Sequence, residues 1–94
     1  MALKIAAPVT VEASVATGAA VDISKATTVS AFLTGTFVGT VQWQISADGT
    51  NFLDTGAAQT APGIVTITTP ANWLRADTTA YTSGTPVGVF VVQE

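Results

Sequence analysis

The sequence predicts an all-β protein, a single antiparallel β-sandwich (Ig-like or jelly-roll-like) with about seven or eight short strands. Thr, Val and Ile are abundant among the 94 residues, and these β-branched side chains suit pleated strands better than helices. Gly, Pro and Asp-Gly turn signals recur at short intervals, as they do in sandwiches and small barrels. A chain of this length fits one domain, so we expect residues 1–94 to share one core.

The N-terminal part of the chain allows two interpretations. Residues 3–6 are extended and end before Pro8, which cannot donate to a ladder, so residues 1–8 are candidates for an N-terminal arm that joins a neighbour's sheet. Residues 10–15 alternate with a period of two, so residues 1–15 could equally be the first strand of this same sandwich. The pattern leaves both interpretations open.

The strongest strand signal covers residues 39–46 and ends in a turn. Val41, Trp43 and Ile45 alternate with polar residues, which predicts one buried face and places Trp43 in the core. Asp48-Gly49 then predicts a tight reversal, because glycine accepts positive φ and aspartate can bond its own backbone. A return strand is expected at 52–54, and Asp48, Gly49 and Asn51 are assigned to the architecture of the turn.

Further strands are expected wherever short alternating runs lie between turn signals, at 20–23, 28–33, 63–68, 72–77 and 87–93. The last of these is apolar on both faces, which favours a central position or cover by another subunit. Residues 54–63 show no period and have little to pack, so we expect a mobile loop.

Strand 72–77 carries a Trp beside the only Arg of the chain. Leu74 and Ala76 fall on one face, and Trp73, Arg75 and Asp77 fall on the other. If the aliphatic pair faces the core, Trp73 and Arg75 form a binding surface, since both types are enriched at interface hot spots. The alternative, which we favour, has Trp73 filling the core edge and Arg75 paired with Asp77.

The composition favours association with a partner. Only 10% of the residues are charged against 48% hydrophobic, and the net charge is −3. Such surfaces promote association, so we expect part of the apolar surface to be covered; the alternative is a surface made polar by Thr, Ser and Gln. The three cations, Lys4, Lys25 and Arg75, are too few and too dispersed to favour nucleic-acid binding. The longest apolar run, 87–92, is too short for a membrane helix.

Catalytic chemistry has little support in the sequence. The chain has no His and no Cys, so we expect no enzyme and no cofactor. Asp48 and Asp54 could offer oxygen ligands to a hard metal ion, but a solvated hairpin turn explains them more simply, and no metal is expected. Carbohydrate binding is the best chemical alternative, with Phe52, Trp73 and Tyr81 as candidate stacking residues.

A longer pattern carries a family resemblance. It consists of a strand ending in Gly39, the motif Ser46-x-Asp48-Gly49-Thr50-Asn51-Phe52, the triplet Leu74-Arg75-Ala76, and a Val-rich final strand. Over about the last two-thirds of the chain, this pattern resembles small β-sandwich domains in the virion proteins of tailed bacteriophages. In those folds the matching residues serve architecture, so the resemblance implies no catalytic or ligand-binding role.

The resemblance implies a structural virion protein. The expected function is that of a capsid decoration or cement protein, made in the bacterial cytoplasm, which binds and stabilises the major capsid protein lattice on the capsid surface. A homo-oligomer is expected, for which a trimer is attractive. The alternatives are a receptor- or carbohydrate-binding module of a phage tail or fibre, and a stand-alone bacterial carbohydrate-binding domain. The candidate interface residues are Leu3, Ile5, Val9, Val11, Trp73 and Arg75.

Overall fold

A computed structural model describes residues 4–93, which contain seven β-strands and no helix. The all-β prediction is confirmed. All strand pairs are antiparallel and belong to one sheet. The strands are β1 (Lys4–Val9), β2 (Ala16–Thr17), β3 (Val21–Asp22), β4 (Thr28–Ser46), β5 (Phe52–Asp54), β6 (Gly63–Ile67) and β7 (Trp73–Gln93).

Two long strands form the backbone of the sheet. β4 and β7 pair along their whole length, from Thr28 opposite Gln93 to Ser46 opposite Trp73. The sequence predicted four short strands here, at 28–33, 39–46, 72–77 and 87–93, and the separation of each pair is wrong. The turn signals between them do not end the strands, because each long strand finds a continuous partner in the other.

The long pair bends so that its two ends face each other. A straight strand of 19 residues would span roughly 60 Å at about 3.3 Å per residue, but the longest dimension of the molecule is 41 Å. β1 and β6 flank residues 86–93 and 28–34 to form one layer, which we call layer A. β2, β3 and β5 flank residues 73–78 and 41–46 to form layer B. This arrangement is the two-layered form expected of a small sandwich.

One core lies between the layers. Layer A contributes Val29, Ala31, Leu33 and Phe90, and layer B contributes Val41, Trp43, Leu74 and Ala76, all of them buried. Trp43 is completely buried, as predicted. The buried apolar side chains of β4 and β7 occupy alternate positions in both layers, so one surface of the bent sheet supplies the core. Two polar residues of β4, Gln42 and Ser46, are buried at the intervening positions.

Two bulges keep that alternation in phase. β7 has 21 residues and β4 has 19, and the difference of two corresponds to register shifts at Val38/Gly39 and Thr40/Val41. The extra residues in β7 are Thr79 and Thr82. One bulge alone would turn every later side chain of β7 to the other face, whereas two restore the phase, so Phe90 and Val92 face the same core as Leu74.

Close approach of the two strands at the bend requires glycine. Gly84 has φ of 95°, and a Cβ there would overlap the carbonyl oxygen of Thr36. Both strands are largely exposed here, at residues 34–38 and 79–85. The bend is therefore a two-stranded ribbon whose side chains are mostly exposed to solvent.

The strand predicted at 10–15 is not formed. The chain leaves the sheet after Val9, the carbonyl of Glu12 accepts a hydrogen bond from Thr78 Oγ1 at 2.9 Å, and Val15 is 67% exposed. Residues 4–9 pair instead with β7 of the same chain, and Pro8 lies within that strand. Proline is tolerated there because β1 is an edge strand, with no neighbour on its other side among residues 4–93.

The loop predicted to be mobile, 54–63, is anchored to layer B. Val41 and Gln59 exchange backbone hydrogen bonds at 2.8 Å in both directions. Trp43 Nε1 donates to Gln59 Oε1 at 2.7 Å, and Gln42 Nε2 donates to the carbonyls of Thr55 and Gly56. Gln59 thereby satisfies the one polar atom of a completely buried indole.

We predict that the two bulges are individually essential and jointly compensating. Deletion of Thr79 alone inverts the faces of the remainder of β7, so we expect the cooperative unfolding transition to disappear. Deletion of Thr79 together with Thr82 restores the alternation, so the double deletion should recover more β-structure than either single deletion. Circular dichroism with urea denaturation measures both effects. A single deletion with a wild-type transition would contradict the alternation argument.

Candidate functional site

The outer faces of the two layers differ in chemistry. The outer face of layer B carries Gln44, Phe52, Asp54, Trp73, Arg75 and Asp77, and we call it the Arg75 face. The outer face of layer A has no charged residue among its described side chains, and we call it the neutral face. Each face is a candidate binding surface, for different partners.

A polar network organises the Arg75 face. The sheet register puts Arg75 opposite Gln44, and Gln44 opposite Asp54. Arg75 Nε donates to Gln44 Oε1 at 2.8 Å, and Gln44 Nε2 donates to Asp54 Oδ1 at 2.8 Å. The guanidinium carbon lies 3.8 Å from the centroid of the Phe52 ring, within the range of a cation–π contact. Arg75 is thus held rigidly across three strands.

The sequence favoured Trp73 at the core edge and Arg75 paired with Asp77, and the geometry of this face differs from that prediction. Leu74 and Ala76 do face the core, which puts Trp73 and Arg75 together on the outer face, each half-buried. Arg75 contacts Gln44 and Phe52 rather than Asp77, because the ladder places Gln44 directly opposite it. The Asp77 carboxylate instead accepts from Thr17 Oγ1 at 3.4 Å.

Trp73 packs under the Asp-Gly turn. Gly49 has φ of 81°, and a Cβ there would lie 3.0 Å from Trp73 Nε1, so the turn backbone covers part of the indole. The turn is longer than the tight reversal predicted, because Ser46 pairs with Phe52 and residues 47–51 form the loop. A glycine is needed at 49 both for its backbone angle and for this contact.

Asp48 is the centre of the turn's hydrogen bonds. Its carboxylate accepts from the backbone N–H groups of Thr50 and Asn51 at 2.9 and 2.8 Å, and from the side chains of Asn51 and Ser46. These bonds, led by that from the Asn51 backbone, hold the pKa of Asp48 well below its ordinary value of 3.8. Asp48 and Asn51 thus fix the conformation of the turn through their hydrogen bonds to each other and to the turn backbone.

The other candidate interface residues do not join this face. Val9 is 4% exposed and belongs to the core, and Val11 is half-buried against that core. Leu3 lies outside the described residues. Ile5 lies in β1 opposite Val92, and its side chain is likewise not described. Among the candidates whose side chains are described, Trp73 and Arg75 share the Arg75 face, and Val9 and Val11 lie together against Gly88 at the core.

The sequence pattern alone does not predict the neutral face. Four strands align Pro8, Val89, Phe32 and Ile64 in one row across layer A, and all four are exposed or half-buried. The adjacent row is Ala6, Val91, Ser30 and Thr66. The sequence predicts Phe32 and Ile64 in two separate strands, at 28–33 and 63–68. Only the register shows that they meet Val89 and Pro8 in a single apolar stripe.

A cleft of about 530 Å³ lies beside the turn, between Asp48 and Asp54 on one side and Pro70 on the other. Asp48 is engaged by the turn and Asp54 by Gln44. Within residues 4–93, no group of three or more acidic, His or Cys side chains converges as a metal site would require. The same part of the chain has no helix long and apolar enough to cross a membrane.

We predict that Asp48→Asn destabilises the protein in a pH-dependent way. The folded-state pKa of Asp48 is lowered, so its ionised form contributes stability at neutral pH, and this contribution is lost as the pH falls below about 5. The urea midpoint of the variant should therefore lie below that of the wild type at about pH 7, and the difference should shrink towards about pH 2. Asp54→Asn, which removes a carboxylate with one described hydrogen bond, is the control and should cost less at neutral pH. A difference that stays constant across this range would contradict the role of Asp48.

Comparisons with known proteins give no relative for this chain: no protein-family model matches it, and no curated protein or solved structure matches it significantly. The functional argument therefore rests on the two outer faces and on the edges of the sheet.

Proposed function

We propose that this protein is a structural component of a tailed-bacteriophage virion, a capsid decoration protein that binds the major capsid protein lattice through the neutral face. The observation that carries the proposal is the row of Pro8, Val89, Phe32 and Ile64 on a surface whose described side chains include no charge. The sequence resemblance to small virion β-sandwiches supplies the biological setting.

The neutral face has the chemistry of an interface core. Cores of protein interfaces are depleted in charged residues and enriched in aromatic ones, and here Phe32 lies between Val89 and Ile64. Burial of the described side chains of this face removes no charge from water; Lys4, whose side chain is not described, lies at the end of β1, opposite Gln93. In the free protein this apolar stripe is exposed to water, so a partner that covers it would gain the free energy of burying apolar surface.

The size of the face favours many weak contacts over one strong contact. Four strands about 4.8 Å apart and six residues long at about 3.3 Å per residue cover roughly 400 Å². A stable interface usually buries about 800 Å² on each partner, so one copy is expected to bind weakly. Repetition over a lattice is the setting in which weak contacts stabilise an assembly, because binding that exists only in the assembled shell favours that shell by mass action.

We predict that Val89→Lys abolishes binding to capsids while the fold is retained. Val89 is half-exposed at the centre of the neutral face, so a Lys there can reach solvent in the free protein but must lose hydration in the complex. Co-sedimentation with expanded capsids, quantified by mass spectrometry, should show at least tenfold weaker binding than the wild type. Particles lacking the protein should also disassemble at lower temperature.

Leu53→Lys is the matched control, because Leu53 is 75% exposed in layer B and the variant makes the same change of chemistry. It should bind like the wild type. Capsid binding by Val89→Lys as strong as that of the wild type would contradict the proposal. So would a few copies of the protein at the tail of the virion instead of hundreds on the shell.

A second candidate function, carbohydrate binding by a phage tail or fibre module, is favoured by one observation. Trp73, Phe52 and Arg75 share a face with the amide of Gln44 and the carboxylate of Asp54, which are the groups that sugar sites use. Under this alternative, Trp73→Ala should lose retention on a polysaccharide column that holds the wild type, and Val89→Lys should not. Wild-type protein that binds capsids and passes unretained through such columns would exclude this alternative.

A further inference from the structure

The edges of the sheet are not equally protected against pairing with other strands. Proteins protect exposed edges by making them short or by placing charge and proline on them. β5 has three residues and ends in Asp54, and β2 and β3 have two residues each. β1 contains both Lys4 and Pro8. β6 is the exception, since its five residues, Gly63–Ile67, include neither a charge nor a proline.

The hydrogen-bonding phase of β4 shows which groups of β6 are free. Thr55 N–H donates to Trp43 O, and Val41 exchanges two bonds with Gln59, so these odd-numbered residues of β4 direct their backbone groups towards the edge that β5 and β6 share. Odd-numbered side chains stay on the core face throughout β4, so the backbone groups of odd-numbered residues also point towards β6 at the other end of the strand. The backbone N–H and C=O groups of Ala31 are therefore the ones that hydrogen-bond to the backbone of Val65.

It follows that Ile64 and Thr66 direct their N–H and C=O groups away from β4. The same reasoning makes Pro8 the residue of β1 whose missing N–H would point outward, which agrees with the usual place of proline in an edge strand. No hydrogen bond in the described part of the chain reaches the backbone groups of Ile64 and Thr66 from the outer side. β6 is thus an edge whose outer donors and acceptors are open.

We propose that β6 pairs with β6 of a second copy of this chain, antiparallel and about a two-fold axis at Val65. In this register Ile64 lies opposite Thr66 of the partner subunit, and both carry outward-directed backbone groups. Four backbone hydrogen bonds form, two at each Ile64–Thr66 pair. The two copies of Val65 meet as a pair that exchanges no hydrogen bonds, with side chains close together.

Charge favours a second copy as the occupant. Each chain carries a net charge of −3, yet no charged residue lies between Asp54 and Arg75, so the edge can approach itself without like-charge repulsion. An isologous contact also needs a self-complementary patch, which a short strand with small and β-branched side chains supplies.

The dimer also enlarges the neutral face. Ile64 is 57% exposed at the margin of that face, and pairing through β6 joins the neutral faces of both copies into one surface of roughly 800 Å². That area is what one partner of a standard interface buries. Dimerisation itself does not depend on the proposed function, because it concerns the purified protein alone.

The test uses charge at opposite edges of one row. Ala6, Val91, Ser30 and Thr66 align across layer A, with Ala6 on β1 and Thr66 on β6, and both end residues are exposed. Thr66→Lys puts two like charges at the β6 edge of the dimer, and Ala6→Lys makes the same change on the opposite edge. Sedimentation equilibrium of the purified 9.5 kDa protein should show a dimer for the wild type and Ala6→Lys, and a dissociation constant raised at least roughly tenfold for Thr66→Lys.

Hydrogen exchange of the wild type gives a second readout that needs no variant. The amides of Ile64 and Thr66 should be protected at high protein concentration and exchange faster on dilution, while the Val65 amide stays protected by β4 at both. A wild type that remains monomeric, or Ile64 and Thr66 amides that exchange freely at every concentration, would overturn the proposal. Dissociation caused by Ala6→Lys but not by Thr66→Lys would overturn it in favour of β1, and a trimer would exclude the two-fold axis.

Discussion

The continuous pairing of β4 with β7 through two bulges is the constraint on which the rest of the structure depends. A bent sheet can supply a single core only if every inward position stays inward across the bend. Thr79 and Thr82 each add one residue to β7, and together they keep Phe90 in phase with Leu74. The bulges also allow the bend itself, because an extra residue increases the local twist of a strand.

The sequence contained the local parts of this fold but not its long-range pairing. The burial of Trp43 and a reversal at Asp48-Gly49 were predicted correctly, although the loop is longer than predicted, because alternation and turn chemistry act over a few residues. Gly35 and Gly39 belong to the turn signals of the sequence, yet both lie inside β4, because a partner strand far along the chain pairs with them. Local pattern holds no information about that partner.

The first strand shows the same limit in another form. The branched apolar residues of segments 4–9 and 10–15, which are Ile5, Val9, Val11 and Val15, stand at odd positions, so either segment satisfies the alternation. β7 decides between the two segments, because its residues 88–93 pair with Lys4–Val9. Residues 10–15 do not pair, and Thr78 Oγ1 instead donates a hydrogen bond to the carbonyl of Glu12. Gln59 was missed for a related reason, since its role depends on a buried indole nitrogen that only the folded layers bring to it.

The low charge of the chain is distributed unevenly, and this asymmetry has a consequence for binding. Seven charged side chains are described, Glu12, Asp22, Lys25, Asp48, Asp54, Arg75 and Asp77, and none lies on the neutral face. On the Arg75 face the polar groups satisfy one another through Gln44, so that face has little to gain from a partner.

On the neutral face the described side chains form no comparable hydrogen-bond network, and this face adjoins β6, an edge strand of the described sheet that carries neither charge nor proline. Pairing at that edge would place two neutral faces side by side, so that the second contact with a repeating surface becomes intramolecular and benefits from a high effective concentration. The proposed pairing of copies at the edge and the proposed binding of a lattice by the face would therefore reinforce each other, because two weak contacts made together bind more strongly than either contact alone.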